Sequence, residues 1–174
     1  MTDLSLDTTP DAREKLAARL AENPDGVLEV LAREHGVSTL DATKMLPAEN
    51  CRFAPAEKFA DVMGDLTGWG DVLFIVHTPS IVLECQGTVP PGEFGRGYFN
   101  LHGESPIGGH IKADRCTAIA FVWRPFMGRE SCSIQFFDQD GETMFKIFVR
   151  RLEDRSMDPA QVARFEDLKA QLAG

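Results

Sequence analysis

Four histidines are the side chains best suited to metal binding or acid–base chemistry at neutral pH. His35 precedes a glycine at a predicted helix end, where an imidazole complements the helix dipole, and His102 follows a strand in a solvated position. His77 ends an apolar strand, a pattern more typical of a packed or edge residue than of a ligand. His110 follows paired glycines, which let another group approach the backbone closely but also fit a β-bulge. His77 and His110 are therefore the two candidates for a functional role.

The sequence carries none of the common motifs of hydrolytic, nucleotide-binding or zinc-dependent enzymes. It lacks G-x-S-x-G, a Walker A loop and H-E-x-x-H. The glycine-rich segment 92–97 lacks the spacing and the strand-to-helix context of a dinucleotide site. The cysteines are too far apart for a zinc or iron–sulfur signature, and we expect small buried thiols. They are Cys51, Cys85, Cys116 and Cys132.

Composition and charge restrict the possible partners. The 174 residues contain 18 Lys and Arg against 27 Asp and Glu, a net charge of −9 at pH 7. This balance argues against non-specific binding to nucleic acid or to an anionic membrane, because both depend on cationic side chains. No apolar run approaches the roughly 20 residues that span a bilayer, and residues 1–10 do not resemble a signal peptide. We expect a cytoplasmic globular protein with no nucleic-acid or membrane partner.

Hydrophobic periodicity predicts a helical head over residues 11–66. Breaks near residues 23–26 and at Gly36 separate three short helices, and a further helix is predicted over 56–66. Three short helices resemble a helix-turn-helix head. The candidate recognition segment carries Lys44 as its single cation, so DNA binding is disfavoured.

The rest of the chain is predicted to be a β body followed by a C-terminal helix. Residues 71–150 contain seven successive strand candidates without intervening helices, which predicts a large antiparallel sheet. Residues 87–96 form a polar stretch rich in Gly and Pro, and none of the strand candidates falls within 87–96. A hairpin turn is predicted at 138–141, and a helix over 158–172 starts at Asp158-Pro159. The fold class is therefore α+β, with residues 1–174 forming a single domain.

Four sequence blocks resemble the HutX/ChuX family of intracellular haem-utilisation carriers. They are Gly-Arg-Gly-Tyr-Phe-Asn-Leu at 95–101, Pro-Ile-Gly-Gly-His-Ile at 106–111, Phe-Met-Gly-Arg-Glu-Ser at 126–131 and the segment 141–148. The blocks keep the family's order, and the resemblance covers most of the chain. It implies a fold similar to one repeat of the two-repeat haem proteins HemS and ChuS, and it implies a homodimer.

The resemblance also implies which residues contact the haem b cargo. Its candidate iron ligands map onto His77 and His110, and Tyr98 is the alternative ligand because some members use a tyrosine. The sequence leaves these ligand schemes open. Haem further needs an apolar wall and cations for its two propionates, since arginine pairs with carboxylates in bidentate fashion. The expected contacts of these two kinds are Phe99, Ile107, Phe126 and Met127 for the wall, and Arg96, Lys112, Arg124 and Arg129 for the propionates.

The function implied is a cytoplasmic haem carrier that receives imported haem and passes it to a downstream haem-accepting or haem-degrading protein. A haem-degrading enzyme related to HemS and ChuS is the alternative. The carrier is favoured because the sequence shows no group of polar side chains that could activate oxygen on the distal side of the haem.

Overall fold

In residues 10–174, which the computed structural model describes, the chain forms five α-helices and nine strands. The helices are α1 (Pro10–Glu22), α2 (Leu28–Glu34), α3 (Thr39–Lys44), α4 (Phe59–Leu66) and α5 (Pro159–Leu172). The strands are β1 (Cys51–Pro55), β2 (Asp71–His77), β3 (Val82–Thr88), β4 (Gly92–Gly95), β5 (Tyr98–Leu101), β6 (Gly109–Ile111), β7 (Ala118–Phe126), β8 (Arg129–Phe137) and β9 (Thr143–Phe148).

The strands form two sheets in which every pair is antiparallel. Six strands make a large sheet in the order β1-β7-β8-β9-β2-β3, and three make a small sheet in the order β4-β5-β6. The predicted α+β class with a large antiparallel sheet is confirmed. The predicted strands near residues 98–101 and 109–112 belong to the small sheet, so the β body is divided between two sheets.

Two strands contradict the sequence-based assignment. Cys51–Pro55, placed in the helical head, forms β1 and pairs with β7. Gly92–Gly95, in the polar stretch where no strand is predicted, forms β4 and pairs with β5. Both strands are short, and each is determined by its pairing with another strand. The periodicity of such a short segment does not reveal that pairing. A Cβ at Gly92 would overlap the ring of Phe99, so glycine at this position allows the close pairing of β4 with β5.

The two faces of the large sheet have different coverings. One, here called the core face, packs against α4, α5 and the small sheet, and its centre is a group of aromatic rings. The ring of Phe59 lies 5.3 Å from Phe99 and 5.4 Å from Phe136, edge to face in both pairs. On the opposite face, the apolar contacts of α1–α3 lie over β1, β7 and β8, where Leu16, Leu20 and Leu28 meet apolar strand residues. The helix α2 also reaches β9 through a buried ion pair of Glu29 with Lys146. The remaining part, over β9, β2 and β3, is here called the open face.

The turn between α1 and α2 is fixed to the β7–β8 hairpin by four polar contacts. The guanidinium of Arg124 donates to the carbonyls of Pro24 and Gly26 at 2.9 and 2.7 Å. Asp25 accepts from the amides of Met127 and Gly128, both at 2.7 Å. Burial acts to raise the pKa of Asp25, but the amide hydrogen bonds outweigh it and lower the pKa below its ordinary value. The helical head is thus held to the tip of this hairpin.

Candidate functional site

His110 lies on β6, directly opposite Asn100 of the neighbouring strand β5. Its Nδ1 is 2.6 Å from Oδ1 of Asn100, and the side chain is exposed. Gly109 before it adopts a φ of +136°, a conformation that glycine tolerates at low cost. The rings of Tyr98 and His102 each lie 5.8 Å from the His110 ring. Three side chains able to bind iron therefore gather on the exposed face of the small sheet.

A cavity of about 510 Å³ runs along β6, between the small sheet and the core face of β2 and β3. We call it the β6 cavity, and His110 stands at its rim. Its volume lies within the range of small-molecule and cofactor sites. Its lining is mostly apolar and includes Phe74, Val76, Leu83, Ile107, Ile111 and Met144. This arrangement fits a flat apolar ligand whose edge reaches solvent beside an imidazole.

Tyr98, the alternative ligand, is 39% exposed and carries a cation over its ring. The Nζ of Lys112 lies 4.8 Å from the ring centroid. Arg96 occupies the tight turn just before Tyr98, at a φ of 54°. Positive charge is therefore available next to the phenol and within reach of a ligand carboxylate at this edge of the small sheet.

His77 lies at the end of β2, on the open face. Its Nδ1 is 3.6 Å from Oε2 of Glu29, while Oε1 of Glu29 accepts from Nζ of Lys146 at 2.5 Å. Glu29 and Lys146 are both buried. Burial acts to raise the pKa of Glu29, yet the Lys146 charge and its hydrogen bond lower it below the ordinary value. The imidazole therefore faces an ionised carboxylate.

The open face beside His77 contains a second cavity, of about 520 Å³. Its apolar lining includes Leu73, Ile75, Phe126 and Phe148. Lys146 contributes positive charge to the lining. We call it the open-face cavity.

The strand register keeps His77 and His110 apart. Val76 and Phe74 point to the β6 cavity, so His77, one position on, points to the opposite face of the large sheet. The sheet lies between the two imidazoles. Within one chain, these two histidines therefore lie in different cavities and do not converge on one iron.

The other expected contacts divide among several places. Phe99 is 4% exposed and packs in the core, so its ring supports the small sheet from inside. Met127 is 79% exposed at the tip of the β7–β8 hairpin, and Arg129 is exposed on the same hairpin. Arg124 is committed to the carbonyls of the α1–α2 turn. The structure thus gathers Arg96, Tyr98 and His110 but not Met127 or Arg129.

Three polar residues near the histidines escaped the sequence analysis: Asn100, Glu29 and Lys146. Lys146 carried a usable signal, because a charged residue inside an apolar strand predicts a buried ion pair. Asn100 stands two residues after Tyr98, which places both on one face of a strand. Glu29 lies on an ordinary helix far away in sequence, and nothing local marks it.

Other chemistry is limited in the described part of the chain. No group of three or more His, Cys, Asp and Glu residues within 10–174 is arranged to hold a metal ion. The prediction of small buried thiols holds for Cys51, Cys116 and Cys132, whereas Cys85 is only half-buried. Burial raises the pKa of Cys51 and Cys132 to about 12 and that of Cys116 to about 11. None of the helices in this region is long and apolar enough to cross a membrane.

Known proteins resemble this chain in both sequence and structure. It is 32% identical over 165 residues to the intracellular heme transport protein HutX of Vibrio cholerae, covering 94% of this chain and 86% of that protein. The solved structure of the heme binding protein ChuX matches with a TM-score of 0.82 at 39% identity, covering 90% of this chain and 97% of that one.

A more distant match concerns the fold alone. The heme-degrading enzyme ChuS of Escherichia coli O157:H7 matches with a TM-score of 0.70 at 14% identity, over all of this chain and 50% of that one. The predicted likeness to one repeat of a ChuS-type protein is therefore confirmed. A sequence model of the family described as haem utilisation ChuX/HutX matches residues 52–168. Together with the HutX and ChuX matches, this shows that the chain belongs to the ChuX/HutX family of haem-utilisation proteins.

Proposed function

We propose that this protein is a carrier that binds haem in the β6 cavity, with His110 as the iron ligand. The observation that carries the proposal is an exposed imidazole, already hydrogen-bonded through Nδ1, at the rim of an apolar cavity of about 510 Å³. The names of two relatives, an intracellular heme transport protein and a heme binding protein, support the same function.

The chemistry of the cavity suits a ligand that must be released. The porphyrin face contacts apolar side chains such as Val76 and Ile107, while the propionates reach Lys112 or Arg96 at the exposed edge. Neutral imidazole and phenolate both ligate haem iron, so Tyr98 remains the alternative donor beside the same cavity. An open rim leaves the bound haem accessible to an acceptor protein.

We further propose that two chains associate. This chain spans about half the length of ChuS and of the heme-binding protein PhuS, so those chains have room for a second unit of this size. The edge strand of the large sheet carries exposed apolar side chains where it begins, with Ile81, Val82 and Leu83 each more than half exposed. Such an edge favours association. A single iron bound by both His77 and His110 would need one histidine from each chain.

The cellular setting follows from the same proposal. The cargo is haem b, acquired from import and delivered to a downstream haem-accepting or haem-degrading protein in the cytoplasm. Free thiols fit a reducing compartment, and the HutX relative is named as intracellular.

A hemin titration followed by absorbance tests the function. The Soret band of added hemin should shift and sharpen with the wild type, and sedimentation should give about twice the 19.2 kDa chain mass. His110→Ala should weaken binding and change the resonance Raman ligand signature. His35→Ala is the matched control, because His35 is bonded to the carbonyl of Leu31 away from both cavities. A hemin spectrum identical to that in buffer would refute the carrier function.

The same variants separate the ligand schemes. If Tyr98→Phe changes the spectrum and His110→Ala does not, the phenolate is the ligand. If only His77→Ala has an effect, the site is the open-face cavity. Adding a reductant under air to the loaded protein should leave the Soret band intact, whereas biliverdin-like absorption would indicate haem breakdown.

A further inference from the structure

His110 is held in one protonation pattern by its neighbour on β5. A neutral imidazole carries one N–H, and its hydrogen bonds decide which nitrogen bears it. The Nδ1 of His110 lies 2.6 Å from Oδ1 of Asn100, an oxygen that can only accept. Nδ1 must therefore be the donor, which leaves the lone pair on Nε2.

This reasoning needs the amide of Asn100 to have a fixed orientation, and the β4–β5 hairpin provides it. Nδ2 of Asn100 donates to the carbonyls of Glu93 and Gly95, each at 3.1 Å, and of Tyr98 at 3.3 Å. Reversing the amide would set its own oxygen against three carbonyl oxygens. The hairpin therefore orients Asn100, and Asn100 orients the imidazole.

The strand register makes this series of hydrogen bonds possible. Asn100 stands on the middle strand of the small sheet, opposite Glu93 on one side and His110 on the other. The two-residue turn of Arg96 and Gly97 has φ values of 54° and 80°, as a tight hairpin turn requires. The turn thus brings the carbonyl of Gly95 within reach of the amide.

We propose that Asn100 is a positioning residue for the haem ligand, fixing His110 as the Nδ1–H tautomer so that Nε2 is ready to bind iron. The inference rests on the proposed carrier function. Iron binding through a bare Nε2 releases no proton, and the coordinate bond forms from a lone pair already present. A neutral amide also raises the basicity of the imidazole less than a carboxylate does. The imidazole should therefore bind iron less tightly, as a carrier that releases its haem requires.

The first test uses the apo protein and does not depend on haem. Nitrogen-15 spectra of the histidine rings at about pH 8, above the ordinary histidine pKa, report which ring nitrogen carries the proton. Wild-type His110 should be the Nδ1–H tautomer, and Asn100→Ala should shift it toward Nε2–H. Asn50→Ala is the matched control, because Asn50 likewise donates its amide to a carbonyl, that of Trp123, without touching His110. An Nε2–H tautomer in the wild type, or no change in Asn100→Ala, would overturn the proposal.

The second test measures how fast hemin leaves the loaded protein for an excess of apomyoglobin. Loss of a group that orients a metal ligand costs about 10–100-fold in affinity, so Asn100→Ala should release hemin at least about 10-fold faster. In the His110→Ala background the same change should have no further effect. An equal acceleration in both backgrounds would assign Asn100 a purely structural role and overturn the proposal. Failure of the carrier function itself would appear separately, as an absence of hemin binding by the wild type.

Discussion

Removal of one partner from the buried ion pair between Glu29 and Lys146 should destabilise the protein strongly. It joins α2 of the helical head to β9 of the large sheet, with 2.5 Å between Nζ and Oε1. The exposed fractions of the two side chains are 7% and 10%. Because little water reaches either group, loss of one partner leaves a buried charge without compensation, at a cost of about 3–5 kcal/mol.

Lys146→Met is the cleanest perturbation, because methionine keeps the length of the lysine stem and removes only the charge. A loss of about 4 kcal/mol, with a denaturant slope of about 2 kcal/mol/M, lowers the urea midpoint by about 2 M. Urea unfolding followed by circular dichroism and tryptophan fluorescence measures this shift. Replacing both partners, as in Lys146→Met with Glu29→Leu, should recover most of the lost stability.

The pH dependence supplies an independent check on the same pair. The folded pKa of Glu29 is lowered, so its contribution is complete above the ordinary value of 4.5 and declines as the pH falls through the folded value. Lys146→Met removes the charge and the hydrogen bond that lower this pKa and leaves burial, which raises it. The loss of stability on acidification that Glu29 causes in the wild type should therefore disappear or reverse in the variant. A cost below about 1 kcal/mol, or a double variant no more stable than the single one, would refute this account of the pair.

Three further outcomes are expected. Phe136→Ala should lower the free energy of unfolding, measured in urea, by about 3–5 kcal/mol, because this fully buried ring stacks with its centroid 4.3 Å from that of Phe145. A decrease near 1 kcal/mol would contradict the tight packing. Ellman's reagent should modify Cys85 first in the native protein and the other three thiols only on unfolding. Those three thiols are buried and have raised pKa values. Rapid labelling of all four thiols in the native protein would be inconsistent with the fold. Gly92→Ala should lower the melting temperature, whereas Gly64→Ala, where the added carbon meets no atom within 4 Å, should not; equal effects would argue against close β4–β5 pairing.

Much of the fold was predictable where the signals were local. The Asp158-Pro159 helix start is confirmed, with Asp158 accepting from the amide of Ala160. The hairpin turn near Gly141 is confirmed, with Gly141 at a φ of 77°. These features depend on a few adjacent residues, which is why composition and spacing found them.

The errors arose where distant segments determine the structure. Strand β1 forms only because β7, about seventy positions later, offers it an edge, and no pattern within Cys51–Pro55 signals that partner. The separation of His77 and His110 likewise depends on strand register, which the sequence blocks do not report. The proposed role of Asn100 depends on contacts among three strands, which a reading of one strand at a time does not reveal.

The order of strands in the large sheet also has a consequence for synthesis. Strands β7, β8 and β9 are joined by short turns, while β1 and β2, which flank them, precede them in the chain and are linked through α4. On the ribosome the first hundred or so residues emerge before the three strands that they must flank. The apolar surfaces of the amino-terminal two thirds therefore stay uncovered until β7, β8 and β9 emerge, so the need for chaperones should be greatest during translation of the last third.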